Sequence, residues 1–315
     1  DIIDITSICN GLNINIGTLN VRTIEAMYAA GEKSNELNHA VLLDPVGAGA
    51  SKLRTDTALG LIEKIHFDVI RGNISEIKTL ALGNGTTKGV DADMADAVTD
   101  ENLDQAVAFV KGYAAQSGSV IAITGAIDLI SDGKICYVVH NGRPEMGRIT
   151  GTGCQLSGMM TAFLAANPDD ICGAATAAVC TMGLAGEIAY DYMQQGDGNA
   201  TYRNRIIDAI YNMTPEMLEK AYTYVELNYG KSYLSEAEEK KINYQMCRGI
   251  HSDCSLYFTE GILKNPVKSN YQYEYAKRLR NKNIWLYHDK HRIVKHNITV
   301  LTETLRKSLV LRSET

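Results

Sequence analysis

The stretch "AVLLDPVGAGASKLRTDTALGLIEKIHFDVIRGNISE", residues 40 to 76, decides the fold. It holds two short apolar runs, "AVLL" (40 to 43) and "FDVI" (67 to 70), each too short for a helix and carrying β-branched residues. Between them, "KLRTDTALGLIEKI" (52 to 65) repeats its apolar residues at intervals of three and four, the helical period. Strand, helix, strand predicts two parallel strands joined by a crossover helix.

The pattern continues on both sides. "LNIN" (12 to 15) and "SVIAI" (119 to 123) are further strand runs, while "NVRTIEAMYAAGEKSNE" (20 to 36) and "ENLDQAVAFVKGYAAQ" (101 to 116) have the helical period. The expected fold is therefore α/β, a mostly parallel sheet covered by helices on both faces. "LISDGKICYVVHNG" (129 to 142) predicts a β-hairpin turning at Asp132-Gly133. In such sheets ligands gather beyond the carboxyl ends of the strands.

The residues at the end of each strand run point to chemistry. Gly17 and Thr18 succeed the first run, Asp44 the second, Arg71, Asn73 and Glu76 the third, and Thr124 and Gly125 the fourth. "GRITGTGCQLSG" (147 to 158) then brings a glycine loop to a helix start. Such a loop presents free backbone N–H groups and the positive end of a helix dipole, an anion site suited to phosphate. Arg71 adds a planar cationic fork and Thr124 a hydroxyl donor. Asp44 and Glu76 are hard oxygen ligands suited to Mg²⁺, directly or through its waters. Cys154, at the helix start, belongs to the class of thiols whose acidity is raised there, and so is a candidate acceptor of a substrate hydroxyl proton. Together these residues predict phosphoryl transfer.

Other layouts are excluded. No GxxxxGK[ST] occurs; "GAGASK" (47 to 52) and "GNGTTKGVD" (83 to 91) come nearest, and neither completes GxGxxG. The protein-kinase HRD and DFG elements are missing as well. His66 and His140 stand in no companion motif for a nucleophilic thiol and are expected to be structural.

In these 315 residues 45% are hydrophobic with no apolar run near 18, which predicts a globular protein without a membrane span. The opening "DIIDITSICNGLNINIG" has neither the basic start nor the cleavage site of a signal peptide, so a fragment of a cytoplasmic chain is expected. Seven scattered cysteines without a CxxC pair argue against a disulfide framework or a zinc site, leaving all but Cys154 as packing thiols.

Charge divides the chain. Residues 1 to 222 carry 15 Lys+Arg against 27 Asp+Glu, while 223 to 315 carry 16 against 10 and hold 9 of the 17 tyrosines. The expected division is a kinase domain over 1 to 222 and a basic, Tyr-rich extension over 223 to 315. Within the extension, 235 to 250 and 298 to 312 are expected helices, and the basic-aromatic stretch 271 to 296 is weighed for nucleic acid and set aside in favour of a solvated or partner-binding appendage.

Seven stretches, "LNINIGTLN", "VLLDPVGAGASKLRT", "VIRGNISEIK", "KGVDAD", "AITGAIDLISDGK", "GRITGTGCQLSGMMTAFLA" and "YRNRIIDAIYNMTPEML", run in order across residues 12 to 218. As a set they resemble hydroxyethylthiazole kinase of the ribokinase-like superfamily, whose GTGC loop separates it from relatives with an aspartate at the position of Cys154. The resemblance implies transfer of the ATP γ-phosphate to the primary alcohol of 4-methyl-5-(2-hydroxyethyl)thiazole in thiamin salvage, with Mg²⁺, by a homotrimer with sites between subunits. It implies that Arg71 and Thr124 contact ATP and that Asp44 and Glu76 form the magnesium environment. Gly17, Thr18 and Gly151 would border the thiazole alcohol, with Cys154 near its hydroxyl. Family chains carry a few dozen further residues before the position of Asp1, including a substrate-contacting Asn and Met region. The alternatives are a kinase of another small vitamin precursor, or an inactive scaffold acting through residues 223 to 315.

Overall fold

The computed structural model describes residues 1–83, 97–214, 217–218 and 225–228. The "KGVDAD" stretch, most of "GNGTTKGVD", and the expected helices at 235 to 250 and 298 to 312 lie outside the described residues, as does the basic-aromatic stretch.

Among the described residues seven strands form one sheet in chain order: β1 (Gly11–Asn15), β2 (Ala40–Asp44), β3 (Val69–Gly72), β4 (Val120–Ile123), β5 (Asp128–Ser131), β6 (Cys136–Val139) and β7 (Val225–Asn228). The first four pair in parallel, as the alternation predicts. The remaining three pairings are antiparallel, because β5 and β6 form the expected hairpin and β7 returns beside β6. The sheet is thus mixed, parallel only in its first half. At the hairpin turn Gly133 takes φ +89, and Asp132 Oδ1 accepts the N–H groups of Lys134 and Ile135, each at 2.8 Å.

Because β1 to β4 are added in one direction, right-handed crossovers place all their connecting helices on one face. That face carries α2 (Val21–Glu36), α3 (Lys52–Lys64), α4 (Ile74–Gly83) and α5 (Leu103–Ser117). The other is covered by α6 (Thr152–Ala166) and α7 (Ile171–Asp191), with α8 (Asn199–Tyr211) packed on α7. The strands serve both faces by alternation. Val41, Leu43, Ile70, Ile121 and Ile123 enter the core beneath α3 to α5, whereas Leu42, Val69, Val120 and Ala122 enter the one beneath α6 and α7.

Of the four described helices that escape the periodicity reading, α1 (Ile2–Ile8), α4, α7 and α8, two bear on other expectations. The first is α1, which packs on α2 and ends beside an exposed Cys9, so that thiol is not a packing residue. The second, α7, is by length and composition able to cross a bilayer, contrary to the expectation of no such run. Its Ala, Gly and Thr side chains are instead buried between α6, α8 and the sheet, where small residues let backbones approach closely. Cys136, Cys172 and Cys180 are buried, and burial pushes each thiol up, Cys136 to about 12, which keeps them neutral.

Candidate active site

The carboxyl ends of β1 to β4 converge on the start of α6. Alternation decides which side chains arrive: Asn15, Asp44, Arg71 and Thr124 share the parity of Asn13, Leu42, Val69 and Ala122 and so lie on the α6 and α7 face. Asn15 and Asp44 are register partners across β1 and β2. Asp44 closes β2 and Arg71 lies within β3, so each sits one or two residues deeper than a loop position.

Asp44 is the hub. It is 1% exposed, and its Oδ2 accepts Asn15 Nδ2 at 2.8 Å and Ser157 Oγ at 2.9 Å. Its Oδ1 has no hydrogen-bond partner and faces Arg71 Nη1 at 3.6 Å. Burial pushes this carboxyl above its usual range; Arg71, Ser157 and Asn15 pull it back, and the Glu76 charge pushes it further up. Arg71, its side chain 12% exposed, donates through Nη2 to Thr124 Oγ1 at 2.5 Å. Glu76, in the first turn of α4, accepts Gly47 N–H at 2.8 Å and Asn73 N–H at 2.9 Å, which fastens the 45–50 loop to α4.

The glycine loop has the form of an anion receiver. Gly151 takes φ +94, a left-handed conformation open to glycine, and turns the chain into α6 with no side chain capping the helix start. Thr152, Gly153 and Cys154 form the first turn, and Cys154 is exposed with Asn15 Nδ2 donating to its Sγ at 3.2 Å. Gly153 lies against Arg71: a Cβ there would stand 2.8 Å from Nη1. Gly153→Ala is therefore expected to push the guanidinium off its place and lower kcat/KM for ATP roughly tenfold, with thermal stability near that of the parent. Steady-state kinetics with a melting curve check this.

Beside these groups a cavity of about 500 Å³ opens between the β4 and β6 ends, the α6 start and α7, lined among others by Arg71, Thr124, Asp128, Asn141, Arg143 and Met182. Its outer wall is fixed by Gly142 N–H donating to Glu187 Oε1 at 2.7 Å and by Arg143 stacked 3.8 Å over the Tyr190 ring. Asp128, whose Oδ1 accepts Gly125 N–H at 2.8 Å, is pushed up to about 7 by burial, with the Gly125 bond and Arg71 opposing. Because its folded value lies above the ordinary 3.8, the fold prefers the protonated acid. That stability is fully present below about pH 4 and is lost as pH rises through about 7. Asp128→Asn keeps the Gly125 acceptor, so it is expected to flatten this dependence and to be more stable than the parent at pH 8, by on the order of 2 kcal/mol. Melting curves at pH 5 and pH 8 measure the difference.

Among the residues singled out in the sequence, Gly17, Asp44, Arg71, Thr124, Gly151 and Cys154 meet at this edge, with Glu76 close enough to act on the Asp44 charge. Thr18 lies one residue beyond Gly17 and is exposed. Gly17 is held from both sides, its N–H by Asn15 Oδ1 and its carbonyl by Arg54 Nη2, each at 2.9 Å. Asn15, Ser157 and Arg54 join the site without a place among the residues that the sequence singles out. A signal for Asn15 exists, since Asn at alternate positions of a strand, 13 and 15, implies a polar partner on that face.

Comparison with known proteins bears on the family of the chain. The profile of the hydroxyethylthiazole kinase family matches residues 1–216. A hydroxyethylthiazole kinase of Clostridium acetobutylicum is 57% identical over 221 residues, covering 70% of this chain and 81% of the relative. One from Clostridium beijerinckii is 46% identical over 219 residues, covering 69% and 77%. The solved structure of a hydroxyethylthiazole kinase protein from Pyrococcus horikoshii superposes with a TM-score of 0.62 at 30% identity, covering 73% of this chain and 81% of that one. With the profile matching more than half of its length, the chain belongs to the hydroxyethylthiazole kinase family.

Proposed function

We propose that the carboxyl-edge site transfers the γ-phosphate of ATP to the primary alcohol of 4-methyl-5-(2-hydroxyethyl)thiazole, with ATP along the Arg71–Thr124 cavity and the alcohol beside Gly17, Thr18, Gly151 and Cys154. The observation that carries this reading is the meeting of three groups: the uncapped start of α6, the Arg71 fork against Gly153, and the exposed Cys154 thiol. The free N–H groups of α6, with Arg71 and Thr124, receive phosphate oxygens. The alcohol oxygen forms the new bond to the γ-phosphorus as the bond to the ADP oxygen breaks, and the alcohol proton passes to Cys154 Sγ.

Asp44 and Glu76 suit Mg²⁺. Asp44 Oδ1 is buried without a hydrogen-bond partner, and the Glu76 charge adds to the cost of ionising Asp44, which a divalent cation relieves. No cluster of three or more His, Cys, Asp or Glu occurs among the described residues, so waters and phosphate oxygens would complete the shell. When bound, the ion draws charge from the transferring phosphate. The family resemblance supports a homotrimer, and a soluble alcohol and ATP suit a cytoplasmic enzyme. An ADP-release assay over the thiazole alcohol and a panel of other vitamin-precursor alcohols tests the assignment. A preference for another alcohol would overturn the acceptor, and loss of turnover that EDTA causes and Mg²⁺ restores is expected.

A further inference from the structure

Asn15 touches three parts of the site at once. Its Nδ2 donates to Asp44 Oδ2 at 2.8 Å and to Cys154 Sγ at 3.2 Å, while its Oδ1 accepts Gly17 N–H at 2.9 Å. A flipped amide would set its oxygen against a carboxylate and its nitrogen against a backbone donor, so the three bonds together leave one orientation. Ser157 holds the same Asp44 oxygen at 2.9 Å from the far side, which fixes the carboxylate that Asn15 leans on.

The direction of the Cys154 bond carries the chemistry. An amide nitrogen only donates, so sulfur is the acceptor here, and sulfur accepts weakly as a thiol and well as a thiolate. Cys154 stands exposed on the first turn of α6, and Nδ2 of Asn15 is the hydrogen-bond partner that its sulfur has among the described residues. We propose that Asn15 is a positioning residue for the phosphoryl transfer: it aims Cys154 Sγ toward the acceptor alcohol, donates to the sulfur a hydrogen bond that strengthens when the sulfur carries charge, and ties it to the Asp44 carboxylate. The proposal rests on the reading of Cys154 as proton acceptor.

Asn15→Leu, close in size and without hydrogen bonds, separates this from a structural role. It is expected to lower kcat about tenfold, the worth of a hydrogen bond to a charged group, with KM for ATP unchanged within about twofold. Alkylation of Cys154 by iodoacetamide near neutral pH, followed by peptide mass spectrometry with the exposed Cys9 as internal reference, is expected to slow about fivefold. In a Cys154→Ala background the same substitution is expected to change kcat less than about twofold. A tenfold loss that persists without the thiol, or an unchanged alkylation rate, overturns the proposal. A Cys154→Ala enzyme as active as the parent instead overturns the proton-acceptor reading, while the alkylation rate still reports on the Asn15 contact. Asn15→Ser, which keeps a polar group out of reach of the sulfur, provides the same readouts if the leucine variant fails to fold.

Discussion

Arg71→Lys is expected to lower kcat/KM for ATP by about 2 to 3 kcal/mol, roughly 30- to 160-fold. The guanidinium fills three offices with one plane: Nη2 reaches Thr124 Oγ1, Nη1 faces Asp44 Oδ1 at 3.6 Å, and Gly153 packs against both terminal nitrogens. An ammonium is a point charge and satisfies one of these directions at a time. Charge spreads over the oxygens of the moving phosphoryl group in the transition state, so a fixed fork there stabilises the transition state more than the ground state. The loss is therefore expected mainly in kcat. Lysine also leaves Asp44, already disfavoured as a charge by burial, with weaker compensation. Unchanged kinetics would remove Arg71 from the reaction.

Cys154→Ala is expected to reduce kcat about a hundredfold while leaving measurable turnover, since general-base assistance is worth roughly that much and the α6 start, Arg71 and Thr124 remain. Cys154→Asp is expected to keep or raise activity, because a carboxylate at the helix start accepts a proton and is stabilised by the same N–H groups. Asn15 Nδ2 would then donate to a carboxylate in place of sulfur. An alanine variant that matches the parent would reduce the thiol to packing, and an inactive aspartate variant would show that sulfur itself is required.

The strand ends of this fold are legible because each aliphatic run stops at a polar or glycine residue, and the parallel order comes from the helices between them. The depth of each side chain is less legible. Arg71 is expected just after its strand and lies inside it, because an interior Arg is ordinarily too costly and here is matched by Asp44 and Thr124. Ser157 sits inconspicuously in a helical run, one turn after Cys154, since its partner is 113 residues away. Asn15 stands out only as one of two alternate Asn in the first strand run, and what it contacts depends on a register that no local window contains. α7 escapes detection because small residues give almost no periodic signal, and its burial on all sides is a property of the packing. Chemistry alone singles out the Thr124 hydroxyl, the Gly151 turn and the Cys154 thiol as a group, because phosphate binding asks for such groups in one place whatever carries them.

The strictly sequential strand order has a consequence for biosynthesis. During translation each new βα unit can dock on the one already formed, since strand neighbours in space are neighbours in the chain. The candidate reaction centre does not share that order. Asn15 waits for Cys154 across 139 residues and Asp44 waits for Ser157 across 113, so a nascent chain that has laid down its first four strands still lacks the helix that covers them. Until α6 leaves the ribosome, the α6 side of β1 and β2 is bare, and the two carboxyl-edge side chains face water. The enzyme's sheet can thus grow gradually, with Asn15, Asp44 and Arg71 already together on its first three strands, whereas Cys154 and Ser157 reach them in a single late event.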